Sequence, residues 1–185
     1  MTASGLGSAS ESGFTLVEIL VTAVIIAFGL LGLAGLQARM AATQMEAYQR
    51  AHALVLAEDM VARINSQRSS AKSERYAPLG GMTVVEPTHQ DCEDGDIPTR
   101  DLCEWRRALG GADAADGDKG FLGALIGARG CIEGLSGDPV TLRVSVAWQG
   151  LTETRAPALP CGEDGYGNEA KRRVLAIRVT LADLN

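Results

Sequence analysis

Phe14–Leu36 read FTLVEILVTAVIIAFGLLGLAGL, an unbroken apolar run interrupted by one acid, Glu18. As an α-helix this stretch is roughly 34 Å long, enough to cross the hydrocarbon core of a bilayer. The first 38 residues carry only two charged side chains, Glu11 and Glu18, and the first basic residue of the chain is Arg39. A cleaved secretory signal opens with basic residues and has a shorter apolar core and a small-residue cleavage site. Here the preceding peptide, MTASGLGSASESG, is small and polar and has no Lys or Arg. The run therefore reads as a spanning anchor. A carboxylate inside such a helix costs at least about 2.5 kcal/mol on insertion scales. Glu18 must then sit at an interface, stabilised by the helix N-terminus, or meet a charge from another chain.

The helical pattern continues past Leu36. No Pro occurs between Phe14 and Pro78, and Ala, Gln, Met, Glu and Arg dominate Gln37–Arg68, all good helix formers. Leu54, Ala57, Val61 and Ile64 recur at spacings of 3, 4 and 3 and define an apolar face. Gln49, Arg50, Glu58, Asp59 and Arg63 are the polar positions. One helix over 14–66 is expected, its first half apolar all round and its second half amphipathic. Gly29, Gly32 and Gly35 recur every third residue of the apolar half. They suit either close helix packing or a locally stretchable segment.

Residues 69–98 read as loop, with Pro78, Gly80, Gly81 and Pro87 ahead of an acidic stretch. Glu86, Asp91, Glu93, Asp94 and Asp96 do not match the spacing of a calcium loop, and Asp113, Asp116 and Asp118 read as solvated acids. PTRDLCEWRRAL over 98–109 predicts a short amphipathic helix through Leu102, Trp105 and Leu109, ended by Gly110-Gly111. Val140, Leu142, Val144, Val146 and Trp148 alternate with polar or small residues, as do Leu175, Ile177, Val179 and Leu181, which predicts two strands. A weaker strand fits 130–135, and Trp148 reads as core. The fold class expected is α+β: a long N-terminal helix, half membrane and half amphipathic, packed on a small antiparallel β-sheet head.

The 185 residues hold 17 Lys and Arg against 23 Asp and Glu, a net charge of −6. An acidic chain repels phosphate backbones, so no nucleic-acid partner is expected. Four cysteines, Cys92, Cys103, Cys131 and Cys161, all follow the apolar run. An even count without a CxxC pair suits an exported domain with two disulfides, and no metal or other cofactor is expected. Four cysteines allow three connectivities. Cys92–Cys103 and Cys131–Cys161 keep each bridge within its own region, the loop and helix or the sheet, and each closure contributes about 2.5–3.5 kcal/mol in the chain-entropy model. The two histidines, His52 and His89, read as solvent-facing, and no catalytic motif occurs.

Ser12-Gly13-Phe14-Thr15-Leu16-Val17-Glu18 ahead of a long apolar helix resembles the class III signal of type IV prepilins. The resemblance implies cleavage by a prepilin peptidase between Gly13 and Phe14 and N-methylation of Phe14. It also implies that Glu18 sets subunit register by meeting the terminal amine of a neighbour. Most prepilin leaders carry Lys or Arg; this one does not. Further likenesses extend along the chain: Gly29-Leu30-Leu31-Gly32-Leu33, Leu36-Gln37, Trp105-Arg106-Arg107, Gly130-Cys131-Ile132, Val146-Ala147-Trp148-Gln149-Gly150 and the closing Arg173–Leu184 segment. Together they resemble the PilV group of type IV pilus minor pilins.

The organisation expected is a leader over 1–13, a transmembrane and assembly half-helix over 14–38, an amphipathic half-helix over 39–68, and a disulfide-stapled periplasmic α+β head over 69–185. The resemblance implies a non-enzymatic subunit contributing to pilus assembly initiation, a tip priming complex. Its implied partners are other minor pilins, the assembly platform, the prepilin peptidase and the inner membrane. The chain would be anchored there by a single span before entering the surface pilus. The alternatives are a minor pseudopilin of a type II secretion system and a tip adhesin or DNA-receptor module.

Overall fold

Leu16–Ser66 form one α-helix, α1, because nothing in the sequence interrupts it: good helix formers follow the apolar run without a proline. The computed structural model describes residues 15–88, 91–93, 95–111, 125–137 and 139–182. The chain forms two compact units, one ending at Thr43 and one beginning at Gln44, and the boundary falls inside α1.

In the second unit, α1 is followed by the short helix α2 (Arg68–Lys72) and strand β1 (Met82–Val85). Helix α3 (Ile97–Gly110) and strands β2 (Arg129–Leu135), β3 (Thr141–Gln149) and β4 (Arg172–Thr180) complete it. The four strands form an antiparallel meander in the order β1-β2-β3-β4. This is the α+β arrangement expected. Two elements appear inside the stretch read as loop. β1 is a four-residue strand between Gly81 and Pro87, too short for alternation to declare it and made by its pairing with β2.

Local chemistry sets the ends of α3. The Asp96 carboxylate accepts the Thr99 N–H at 3.3 Å and Pro98 lies in the first turn, the arrangement that suits a helix start. Gly111 adopts φ 67° and returns its N–H to the carbonyls of Arg107 and Ala108, a conformation that favours glycine.

The core lies between one sheet face and the two helices. α1 contributes Ala53, Leu56, Ala57, Met60 and Ile64, α3 contributes Trp105 and Leu109, and the strands contribute Ile132, Leu142, Val144 and Val146. The buried stripe of α1 is rotated from the one the spacing suggests: Leu54 is 39% exposed, Val61 is only partly buried, and Gln49 is buried. The helix carries apolar residues on several sides, so the sheet and α3 decide which side is covered. Trp105 fastens the three layers together. Its indole N–H donates to the Leu56 carbonyl of α1 at 2.8 Å, and its ring lies over Gly130 of β2. A Cβ at Gly130 would come within 2.5 Å of that ring and 2.8 Å of Leu109 Cδ1.

Charges ring this core. Arg63 of α1 pairs with Asp59 at 3.0 Å, with Asp101 of α3 at 3.3 Å, and with Glu104. Tyr76, fully buried, donates its hydroxyl to the other Asp101 oxygen at 2.6 Å. Burial, joined by that carboxylate, pushes the Tyr76 phenol well above its usual range.

Gly130→Ala forces a methyl against Trp105 and Leu109 in the core. We expect a loss of about 1–3 kcal/mol, read as a lower denaturant midpoint for the full chain with both disulfides intact. Val84→Ala, at an exposed site, is expected to stay within about 0.5 kcal/mol of the parent.

Candidate assembly site

In the first unit the residues that carry the expected chemistry are Gly13, Phe14 and Glu18. Gly13 and Phe14 lie outside the described residues. Glu18 occupies the third position of α1, and its N–H donates to the Thr15 hydroxyl at 3.3 Å and to the Thr15 carbonyl at 3.1 Å. Thr15-Leu16-Val17-Glu18 thus has the spacing of a capping box, with Thr15 as the cap. The signal stood in the sequence as Thr-x-x-Glu, hidden by taking the helix to begin at Phe14. The helix N-terminus gives the Glu18 carboxylate a favourable electrostatic setting. It is exposed and has no ion-pair partner among the described residues.

Beyond Glu18 the helix presents an apolar surface on every side. Leu16, Phe28 and Leu31 are 80%, 71% and 69% exposed. The hydroxyls of Thr22 and Thr43 are satisfied within the helix, donating to the carbonyls of Ile19 at 2.9 Å and Arg39 at 3.0 Å. Internal satisfaction of polar groups is what a lipid environment demands, and α1 is long and apolar enough to cross a membrane. Among the described residues nothing within 4 Å of Gly29, Gly32 or Gly35 would meet an added Cβ, so their smallness serves no contact there.

In the second unit the first strong tie between α1 and the head is Glu46. One carboxylate oxygen accepts the N–H groups of Leu151 and Thr152 at 2.9 and 3.1 Å and the Thr152 hydroxyl at 3.0 Å. Arg173 of β4 reaches both oxygens at 3.2 Å. Sequence reasoning missed this clip because the partners lie 105 to 127 residues away and neither end is marked by a motif.

Cys92 is bonded to Cys103 and Cys131 to Cys161, with Cα separations of 5.6 and 5.8 Å. The first bridge joins the segment before α3 to α3 itself. The second ties the segment after β3 to the sheet face opposite α1. There Arg172, 2% exposed, donates to the carbonyls of Cys161 at 3.0 Å and Pro157 at 3.2 Å and pairs with Glu169. Tyr166 donates to the Gly127 carbonyl at 2.8 Å, and burial pushes its phenol up to about 12.

Among the described residues no group of three or more His, Cys, Asp or Glu could hold a metal; Asp94, Asp113, Asp116 and Asp118 lie outside them. His52 is half-buried with its Nδ1 enclosed and unpartnered, not solvent-facing as expected, because its side chain falls on the flank of α1 that turns toward the head. His89 lies outside the described residues. A cleft of about 550 Å³ opens between the end of α3 and the start of β2, floored by Leu109, Leu125 and Ala128 and rimmed by Glu86 and Arg129. Its described lining offers no nucleophile beside a base.

Burial alone would raise the Glu46 carboxyl, but the Thr152 amide and hydroxyl and Arg173 outweigh it, so its pKa is lowered. A depressed carboxylate contributes stability above its unfolded value, and that contribution is lost as pH falls through the folded one. We therefore expect the Leu151 and Thr152 amides to keep hydrogen-exchange protection through the ordinary glutamate range and to lose it only at lower pH. Glu46→Gln should reproduce the loss at neutral pH. Unchanged protection in that variant would refute the clip.

Residues 8–34 match the family model described as the prokaryotic N-terminal methylation motif. No curated protein and no solved structure matches the chain. The matched segment contains Gly13, Phe14, the Thr15 cap, Glu18 and the apolar run as far as Ala34. It supports a type IV pilin-like protein, pilin or pseudopilin, anchored in a membrane through its N-terminal helix.

Proposed function

We propose that the chain is a minor pilin of the type IV pilus, of the PilV kind, contributing to assembly initiation within a tip priming complex. The observation that carries this reading is Glu18: the single charged residue of the apolar run Phe14–Leu36, in the first turn of α1 and five residues after Gly13. Residues 1–13 are the leader, removed by a prepilin peptidase, and Phe14 becomes the methylated N-terminus. Residues 14–38 serve first as membrane anchor and then as filament core, 39–68 back the head, and 69–185 form the periplasmic head stapled by Cys92–Cys103 and Cys131–Cys161.

The chemistry of the step follows from Glu18. A lone carboxylate among packed apolar helices is costly unless a cation meets it. Removal of the leader creates one, the amine of Phe14. Because that amine is only four residues from Glu18 in its own chain and so leaves no choice of register, the informative partner is the amine of a neighbouring subunit. A mismatch strands a buried charge, so axial position is selected by penalty rather than by affinity. No catalytic role is assigned to the chain. Its partners are other minor pilins and the assembly platform. A minor pseudopilin of a type II secretion system would use the same N-terminal segment, and a tip adhesin or DNA-receptor role would place the added function in the head.

Two measurements test the reading. Mass spectrometry of the membrane form should find a methylated Phe14 at the N-terminus; an intact Met1 would overturn it. In Glu18→Ala, cleavage after Gly13 should persist while surface piliation falls by at least about tenfold. Normal piliation would remove Glu18 from the register role.

A further inference from the structure

The pairing register sets four side chains in one row across the sheet. Met82 of β1 lies opposite Glu133 of β2, Glu133 opposite Arg143 of β3, and Arg143 opposite Arg178 of β4. Side chains alternate along each strand, and in the adjacent row Ile132 and Val144 face the core. The row from Met82 to Arg178 therefore lies on the sheet face opposite α1. Part of that face is covered, where Cys131, Ala147 and Cys161 pack together beneath the segment after β3. The rest is open: Met82 and Val84 are 38% and 43% exposed, and Ala176 and Arg178 are exposed as well.

The charges of this row do not balance. Arg143 donates to Glu133 at 2.7 Å, and the two side chains are only 16% and 27% exposed. That occupies the one acid of the row. Arg178 stands directly opposite Arg143, and among the described residues no acid pairs with it. Glu133 is two strands from Arg178, about 10 Å across the sheet, with Arg143 between them. Like charges in opposed positions destabilise a sheet, so the isolated head carries a repulsion that an acid at position 178 would turn into attraction. Protection of the sheet edge does not call for a base here, because a charge of either sign serves that purpose.

We propose that this open face docks a different subunit of the same assembly, which brings a carboxylate to Arg178 and an apolar side chain to Met82 and Val84, about 14 Å away across the sheet. A guanidinium presents paired N–H donors to a carboxylate, and one unmatched charge calls for one acid. A nucleic acid would need a run of cations, and this row has an excess of one. A second copy laid face to face would set four bases against two acids, so self-pairing leaves the excess unmet. The cost of holding Arg178 opposite Arg143 is recovered only in the complex, which makes the face selective for an acidic partner. The inference rests on the pilin reading, which supplies neighbouring subunits, and adds to it the face that one of them meets.

The test uses the full-length chain in its native membrane with a photo-crosslinking residue in place of Ala176 or, as control, of Leu151, which is exposed beside the Glu46 clip. We expect the cross-link from 176 to exceed that from 151 at least about fivefold and to fall at least about tenfold in Arg178→Glu. Mass spectrometry should map it to an Asp- or Glu-bearing segment of another pilin-like chain, and exchanging that acid for Arg should restore the cross-link to Arg178→Glu. The same Arg178→Glu substitution should raise the denaturant midpoint, because it sets an acid opposite Arg143. Docking lost from a more stable head does not come from misfolding. The proposal is overturned by a cross-link from 176 no stronger than from 151, by one that persists in Arg178→Glu, or by one to a second copy of this chain or to a protein that is not pilin-like. Methylation of Phe14, followed in the same samples, reports on the underlying pilin reading and moves independently of the cross-link.

Discussion

The head depends on one buried indole. Trp105 is the residue through which α1, α3 and β2 are held in a common arrangement: its N–H satisfies a carbonyl of α1, and its ring fills the space left by Gly130. It is the largest of the fully buried side chains, and aromatics of this size dominate the energetics of a core. The hydrogen bond adds direction, because an indole N–H buried without an acceptor would cost about 1–3 kcal/mol. Met60, Ile64, Leu109 and Val146 then pack around a geometry already fixed. The Arg63–Asp101–Tyr76 cluster closes the same α1–α3 junction from the rim.

Much of this architecture was legible in the residues. The alternation from Val140 to Trp148 and the Leu102, Trp105 and Leu109 spacing announced a long strand and an amphipathic helix, and both are present. What was illegible depended on contacts far apart in sequence. β1 exists because β2 pairs with it. The buried side of α1 was chosen by its neighbours, which is why Leu54 is exposed and Gln49 buried. Glu46 looked like any polar position of an amphipathic helix, yet it organises a turn more than 100 residues away. Of the assembly site, Glu18 stood out at once because a charge in an apolar run is conspicuous. Its local role as the third residue of a capped helix turned on where the helix begins, which periodicity does not fix to within one turn.

Glu18 and Glu46 show one chemical group used in opposite ways. Glu46 is ringed by donors from its own chain and has no need of a partner subunit. Glu18 has a backbone cap beneath it and no cation within the described residues, so its unmet need faces outward. The same contrast runs along α1. Its first half exposes Leu16, Ile25, Phe28 and Leu31, while its second half buries Leu56, Met60 and Ile64 in its own head.

The Cys131–Cys161 bridge carries a mechanical consequence. It encloses all of β3 in a covalent loop. If tension were applied between α1 and the far end of β4, the segment between the two cysteines could not pay out. At about 3.5 Å per extended residue, the 30 positions that separate them hold back roughly 100 Å of contour length. Cys92–Cys103, with a separation of 11, holds back a further 40 Å or so by the same measure. A head pulled until its hydrogen bonds fail therefore yields only part of its length. The strand at the centre of its sheet stays tethered to its neighbour, ready to pair again when the load is removed.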